Sequence, residues 1–182
     1  MTDADAVRRV AAALPRAYEV EVRGRAKFRV KQIVFVAFSR DEQEMGFGFP
    51  KAEREGLVAS DPRTFFLPEP VDLRYQWVCA HLGRLDEEEM RELVTDAWRM
   101  CTPQMLHDLP DLPAPTAQAW DLVEKQRWHD VRPLLHPHLH FEDGEVRLRG
   151  RNQVLDHLRG HPTPKPPTDI EVRDGQVHRW RR

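Results

Sequence analysis

Cysteine and glycine are scarce: two Cys and nine Gly in 182 residues. Cys79 and Cys101 each stand among apolar neighbours, which predicts reduced core thiols rather than a disulfide framework or a thiolate metal pair. No apolar run approaches the roughly 20 residues of a membrane span. The opening MTDADAVRRVAAALP reads as an acid-capped helix rather than a signal peptide, so no membrane partner and a cytoplasmic location are expected. Also missing are a Gly-rich phosphate loop, a GxSxG elbow, an HExxH helix and a CxxC pair, which removes the commonest nucleotide, esterase, metalloprotease and redox chemistries. An excess of one charge is absent too, since 28 Lys and Arg against 30 Asp and Glu leave a net −2. Up to Pro110 the chain has 16 basic and 19 acidic residues, and beyond it 12 and 11, so any affinity for a polyanion must come from a local patch.

Such a patch is present. From Gly24 to Val30 basic and apolar residues alternate, with Arg25, Lys27 and Arg29 on one side and Ala26, Phe28 and Val30 on the other, the period of a half-buried strand. Ile33 to Phe38 then runs apolar without a break, as a strand covered on both faces would, and Lys31-Gln32 is the turn of the hairpin. Arg23, Arg25, Lys27, Arg29 and Lys31 can follow a phosphate backbone. The competing expectation is a solvated outer face balanced by Glu19 and Glu21.

Around this hairpin the elements follow from pattern. Thr2 or Asp3 caps a first helix that Pro15 ends, Tyr18 to Val22 is a first strand, and EMGFGF is a third. A short helix in KAEREGLVAS and an edge strand or buried loop between Arg63 and Pro70 precede a strand at Gln76 to Leu82. Asp86 then caps a helix whose Met90, Val94, Ala97 and Trp98 keep the helical period. Trp77, Trp98, Trp120 and Phe28 are expected as core anchors, and Trp180 as a packed residue.

ALPRAYE, KFRVKQIVFVAF, LVASDPRTFF, WVCAHL and DAWRMCTPQML, in that order and spacing over residues 5–108, resemble the MmcQ/YjbR family of small bacterial proteins. The resemblance implies a CyaY-like α+β fold and DNA binding through a paired-wing surface. One departure is the hairpin turn, where the family commonly has Gly-Lys and this chain has Lys31-Gln32. A turn type that needs no glycine is therefore expected.

Leu109 to Pro115, LPDLPAP, lacks periodicity and reads as a boundary. Beyond it, Thr116 is expected to cap a helix, a second short helix follows in DVRPLLHP, Leu139 to Phe141 pairs with Val146 to Leu148, and Arg151 to Leu158 is helical. Asp174-Gly175 closes a last hairpin. This order resembles part of a SnoaL-like, nuclear-transport-factor-like cone, about half its usual length. The expected fold class is thus α+β: an antiparallel sheet with flanking helices, CyaY-like, and then a short α+β cone-like fragment. The expected divisions are 1–109, a linker at 110–115, and 116–182.

Seven of nine histidines lie beyond Pro110. His136, His138 and His140 fall at i, i+2 and i+4 and are the candidates for metal ligands, although Pro137 interrupts them, and an exposed or structural role competes. Asp130, His136 and His157 are the titratable groups an enzymatic cone could use, but no catalytic motif includes them. The leading expectation is a non-enzymatic protein that contacts double-stranded DNA through its backbone with weak sequence preference, and no cofactor or resident metal is expected. The alternative is a small-molecule or homodimerisation module in the C-terminal fragment, with a cyclase- or isomerase-type enzyme as the third reading.

Overall fold

Alternation between apolar and charged residues becomes, in the computed structural model, a sheet with one filled and one open face. The structure describes residues 2–161 and 164–182 and divides into two compact units, Met1–Pro103 and Gln104–Arg182. In the first unit, α1 (Ala4–Ala13) is followed by β1 (Ala17–Glu21), β2 (Ala26–Val30), β3 (Ile33–Phe38) and β4 (Glu44–Gly48). Helix α2 (Arg54–Ser60), β5 (Phe65–Phe66), β6 (Trp77–His81) and α3 (Glu87–Arg99) complete it. The strands form one antiparallel sheet in the order β1-β2-β3-β4-β6-β5. An antiparallel sheet with helices segregated to one face is the α+β class expected from the sequence.

Asp3, not Thr2, caps α1, its Oδ1 accepting from the Ala6 amide at 2.8 Å, and Asp86 does the same for α3 through the Glu89 amide at 2.8 Å. The filled face collects Phe28, Phe38, Met45, Phe47 and Val78 beneath Val7 and Ala11 of α1 and Val94 and Trp98 of α3, all buried. Trp98 also donates from Nε1 to the Pro15 carbonyl at 2.9 Å, tying α3 to the chain just beyond α1. Such a group left unpaired in the core costs about 1–3 kcal/mol.

Two predictions about β3 are corrected. It is not covered on both faces: Val34 and Ala37 are half-buried and Ile33 is 55% exposed. Its continuous apolar run reflects a bulge. Phe28 pairs with Val36 but Arg29 with Val34, so Phe35 is the extra residue, and both it and Val36 are buried. The Lys31-Gln32 turn, in turn, does place a residue where glycine is favoured, for Lys31 has φ +54°. The Tyr18 hydroxyl of β1 donates to the Lys31 carbonyl and holds the turn.

The second unit contains α4 (Thr116–Glu124), α5 (Trp128–Val131), β7 (Leu135–Asp143), β8 (Val146–Arg149), α6 (Arg151–Gly160), β9 (Asp169–Arg173) and β10 (Gln176–Arg181). Its sheet is mixed, in the order β8-β7-β10-β9, with β7 and β10 parallel. Before α4, Leu109–Asp111 is a single 3-10 turn, so the stretch expected as a linker begins inside local structure. Thr116 does not cap α4. It is the first residue of the helix, fully buried, and its Oγ1 has no hydrogen-bond partner among the described residues. Asp174 (φ +50°) and Gly175 (φ +72°) form the hairpin turn between β9 and β10. Trp120, Phe141 and Trp180 fill the core with Val154 and Leu155 of α6, and Trp120 donates from Nε1 to the Pro164 carbonyl at 3.1 Å.

A left-handed non-glycine residue costs roughly 1–2 kcal/mol, partly offset by the greater freedom glycine brings to the unfolded chain. Lys31→Gly is therefore expected to stabilise the first unit by about 0.5–1 kcal/mol, read as a higher urea midpoint at unchanged slope. A lower midpoint would show that Lys31 contributes more in the turn than its conformation costs.

Candidate functional site

Strand β2 lies second from the edge, between β1 and β3, and its outward side chains are Lys27 and Arg29, both half-buried. The exposed Arg25 continues the same row by alternation, bonded to Val22 through both backbone groups. Arg23 (φ +56°) and Gly24 (φ +69°) make the two-residue turn at one end of the strand, and Lys31 the turn at the other. Arg25 and Lys31 are six residues apart, about 20 Å along an extended chain. The five cations predicted from sequence are therefore spread along β2 from the turn at one end to the turn at the other rather than clustered at one hairpin tip.

Their charges are not balanced as Glu19 and Glu21 would have it. Register pairs Glu19 with Phe28 and Glu21 with Ala26, so both acids point to the opposite side of the sheet from Lys27 and Arg29. There Arg8 of α1 takes Glu19 through Nε at 3.0 Å and donates from both terminal nitrogens to Glu42, 2.9 Å from Nη1 to Oε2, with its guanidinium 5.0 Å from the Phe38 ring. Arg8 holds the Glu42 carboxyl below its ordinary range, and its own guanidinium is held still more firmly protonated by Glu42 first and Glu19 second. Among the described residues no ion pair engages Arg23, Arg25, Lys27, Arg29 or Lys31. The Nε of Arg29 is sealed from solvent and has no hydrogen-bond partner among the described residues.

The remainder of this open face mixes aromatic and apolar side chains with His81 and Glu44. Tyr18 lies opposite Arg29 and Val20 opposite Lys27 on β1, and Ala37 opposite Lys27 on β3. Farther across, Gly46 pairs with Cys79. Trp77, expected in the core, instead lies half-buried on this face. A Cβ at Gly46 would stand 2.9 Å from Cε3 and 3.0 Å from Cζ3 of its indole, so the ring rests on a strand position that only glycine leaves free. Beyond it Phe66 and His81 stack at 4.7 Å between ring centroids with a 29° tilt, and His81 Nδ1 is 3.3 Å from Glu44 Oε1. The Cys79 thiol is pushed up to about 11 by burial, with Glu44, Asp72 and Glu69 adding to the shift. At neutral pH it is a protonated thiol and a poor nucleophile.

In the second unit the histidines gather differently from the sequence expectation. His136 Nδ1 accepts from the His138 amide at 3.1 Å, which occupies one ring nitrogen, and His138 is exposed. His178 of β10, which the i, i+2, i+4 spacing could not reveal, fits between His136 and His140 at centroid separations of 4.9 and 5.2 Å. The β7–β10 ladder is interrupted there: Val177 pairs with Leu135 but Arg179 with His140, and Pro137, which has no amide to donate, lies in the gap. Among the described residues no three His, Cys, Asp or Glu side chains converge as metal ligands. Asp130, His136 and His157 do not share neighbours: Asp130 pairs with Arg127, and His157 stacks on His161 at 4.0 Å. His178 is 6% exposed, and burial lowers its pKa, as does Arg173, while Glu171, 3.6 Å from its Nδ1, acts in the opposite sense. Burial and His161 lower that of His157.

Among the described residues no helix is long and apolar enough to cross a membrane. Residues 12–100 match the family model described as YjbR. A crystal structure of the Deinococcus radiodurans protein DR2400, with a DUF419 domain, is similar to this chain at a TM-score of 0.50 and 17% identity, covering 62% of this chain and 91% of that one. At that identity the likeness speaks for the fold. No curated protein matches the chain.

Two outcomes are expected. Gly46→Val forces the Trp77 ring off the sheet and lowers stability by about 1–3 kcal/mol, with a red shift in the part of the tryptophan emission that Trp77→Phe removes. Acid should also loosen the second unit. With the folded pKa values of His178 and His157 below their ordinary 6.5, the unfolded chain takes up protons first as pH falls, so stability is constant above about 6.5 and declines below it. Urea midpoints at pH 7.5 and 5.0 check this, and His178→Gln should flatten the decline.

Proposed function

We propose that the YjbR-family domain in the first unit of this chain, matched over residues 12–100, is a non-enzymatic DNA-binding domain that contacts the phosphate backbone with little sequence preference. The supporting observation is the row Arg25, Lys27 and Arg29 on an open sheet face, free of ion pairs because the nearby acids point to the other face and Glu19 is engaged by Arg8. Cations not already neutralised by carboxylates release counterions from DNA without first breaking an internal bond. Arg23 and Lys31 extend the row to the two ends of the strand. A row of cations along a strand meets phosphates rather than base edges, so backbone contact dominates.

A second reading concerns the other unit, as a small-molecule module. It is favoured by an open depression of about 570 Å³ lined by Gln118, His129, Asp130, Arg132, Pro133 and Arg151, with the Nε of Arg151 buried and unpartnered. Two arginines suit a carboxylate or phosphate group. If this holds, an anionic ligand raises the melting temperature of the native chain and not that of Arg151→Met. The likeness of this unit to a SnoaL-like cone, and dimerisation through it, stand as part of the same proposal.

The DNA reading is tested by fluorescence anisotropy of a labelled random duplex over a salt series. Micromolar binding at low salt is expected, with the logarithm of affinity falling by about 0.9 per phosphate contacted for each logarithmic unit of salt. Arg25→Glu/Lys27→Glu/Arg29→Glu should abolish it while keeping the native circular dichroism. If the native chain fails to bind duplex even at low salt, duplex DNA is not the partner.

A further inference from the structure

The open face of the first sheet carries two features that duplex backbone contact leaves unused. The first is the half-buried Trp77 indole, whose Cε3–Cζ3 edge stands against the Cβ position of Gly46. The second is an open groove of about 760 Å³ at the far margin of the sheet, lined by Gln43, Pro62, Arg63, His81, Gly83 and Arg84, with His81 stacked on Phe66. Arg63 and Arg84 are exposed, and among the described residues neither forms a side-chain ion pair. From β2 to β6 is three strand steps, about 14 Å at the usual spacing, and β5 is one step farther. Cations thus stand at both margins of the face and aromatic rings between them.

We infer that this face binds single-stranded nucleic acid in preference to duplex, with an unpaired base stacked on Trp77 and the backbone held by Lys27 and Arg29 at one margin and by Arg63 and Arg84 at the other. The inference rests on the backbone contact proposed above and adds the form of the ligand. In a duplex the faces of the bases are hidden in the stack, so aromatic rings on a protein stack only with bases that are unpaired. Stacking accepts any base, which agrees with a face that has no array of donors and acceptors for base edges. Glu44, Glu69 and Asp72, the acids that push up the Cys79 thiol, disfavour a phosphate directly over β6. At that point the strand presents a base to Trp77, and its phosphates pass to either side, toward the cations.

The test compares labelled oligo(dT) of 20 nucleotides with a 20-base-pair duplex, using the full chain, Trp77→Phe and Trp77→Leu, each variant first shown to keep the native circular dichroism and melting temperature. Oligo(dT) is expected to bind at least tenfold tighter than duplex and to quench a component of the tryptophan emission that Trp77→Phe lacks. Trp77→Leu should lose about five- to 150-fold for oligo(dT), the worth of one base–aromatic stack, and little for duplex. Duplex binding that equals or exceeds oligo(dT) binding, without quenching, overturns the inference and leaves the duplex reading standing. Tight oligo(dT) binding that Trp77→Leu does not weaken also overturns it. If oligo(dT) binds and quenches but duplex does not bind, the duplex reading fails and the inference holds; if neither binds, both fail.

Discussion

One extra residue in β3 governs the first unit. Where β2 steps from Phe28 to Arg29, β3 steps from Val36 to Val34, and Phe35 between them turns inward beside Val36. A regular antiparallel pair would have sent Phe35 to the side of Lys27 and Arg29. With the bulge, the Phe28 ring has both Phe35 at 6.2 Å and Phe38 at 6.5 Å in the core, and the outer side of β3 keeps only Val34 and Ala37 opposite Arg29 and Lys27. Apolar bulk is thereby concentrated under α1 and α3. The face bearing Lys27 and Arg29 is left low and open.

Electrostatics then depends on which side each acid falls. Arg8 is buried enough on the helix side to gather Glu19 and Glu42, and this network ties α1 to β1 and to the turn before β4. The same arrangement draws carboxylate charge away from β2. Surface pairs of this kind contribute little individually to stability. Their larger consequence is positional: they leave a row of cations that no ion pair engages among the described residues, on a protein whose net charge is slightly negative.

Much of this was readable from local pattern. The cap at Asp86, a cap at one of Thr2 and Asp3, the alternation from Arg25 to Val30 and the Asp174-Gly175 turn are signals carried by adjacent residues, and each appears as predicted, with Asp3 the first cap. The failures share a cause. Thr116 has the side chain of a cap, but the turn before it makes Pro115 the cap position and buries the hydroxyl. Trp77 alternates as a strand residue should, yet which side of the sheet is core depends on where helices distant in sequence come to rest. The histidine spacing in β7 suggested a shared face, while His178, the buried member of the group, arrives from β10 some 40 residues later.

By itself the sequence determined the elements, the α+β class, the family resemblance and the identity of the cationic strand, because each depends on residue types a few positions apart. Tertiary structure decided the register of β1 against β2, the bulge in β3, the seat of Trp77 on Gly46 and the meeting of His178 with His136 and His140. In every one of these, two segments must satisfy their backbone hydrogen bonds and fill a common core at once, and a shift of a single residue sends each side chain to the other face. That choice belongs to the packing of the whole unit and is not carried by either segment alone.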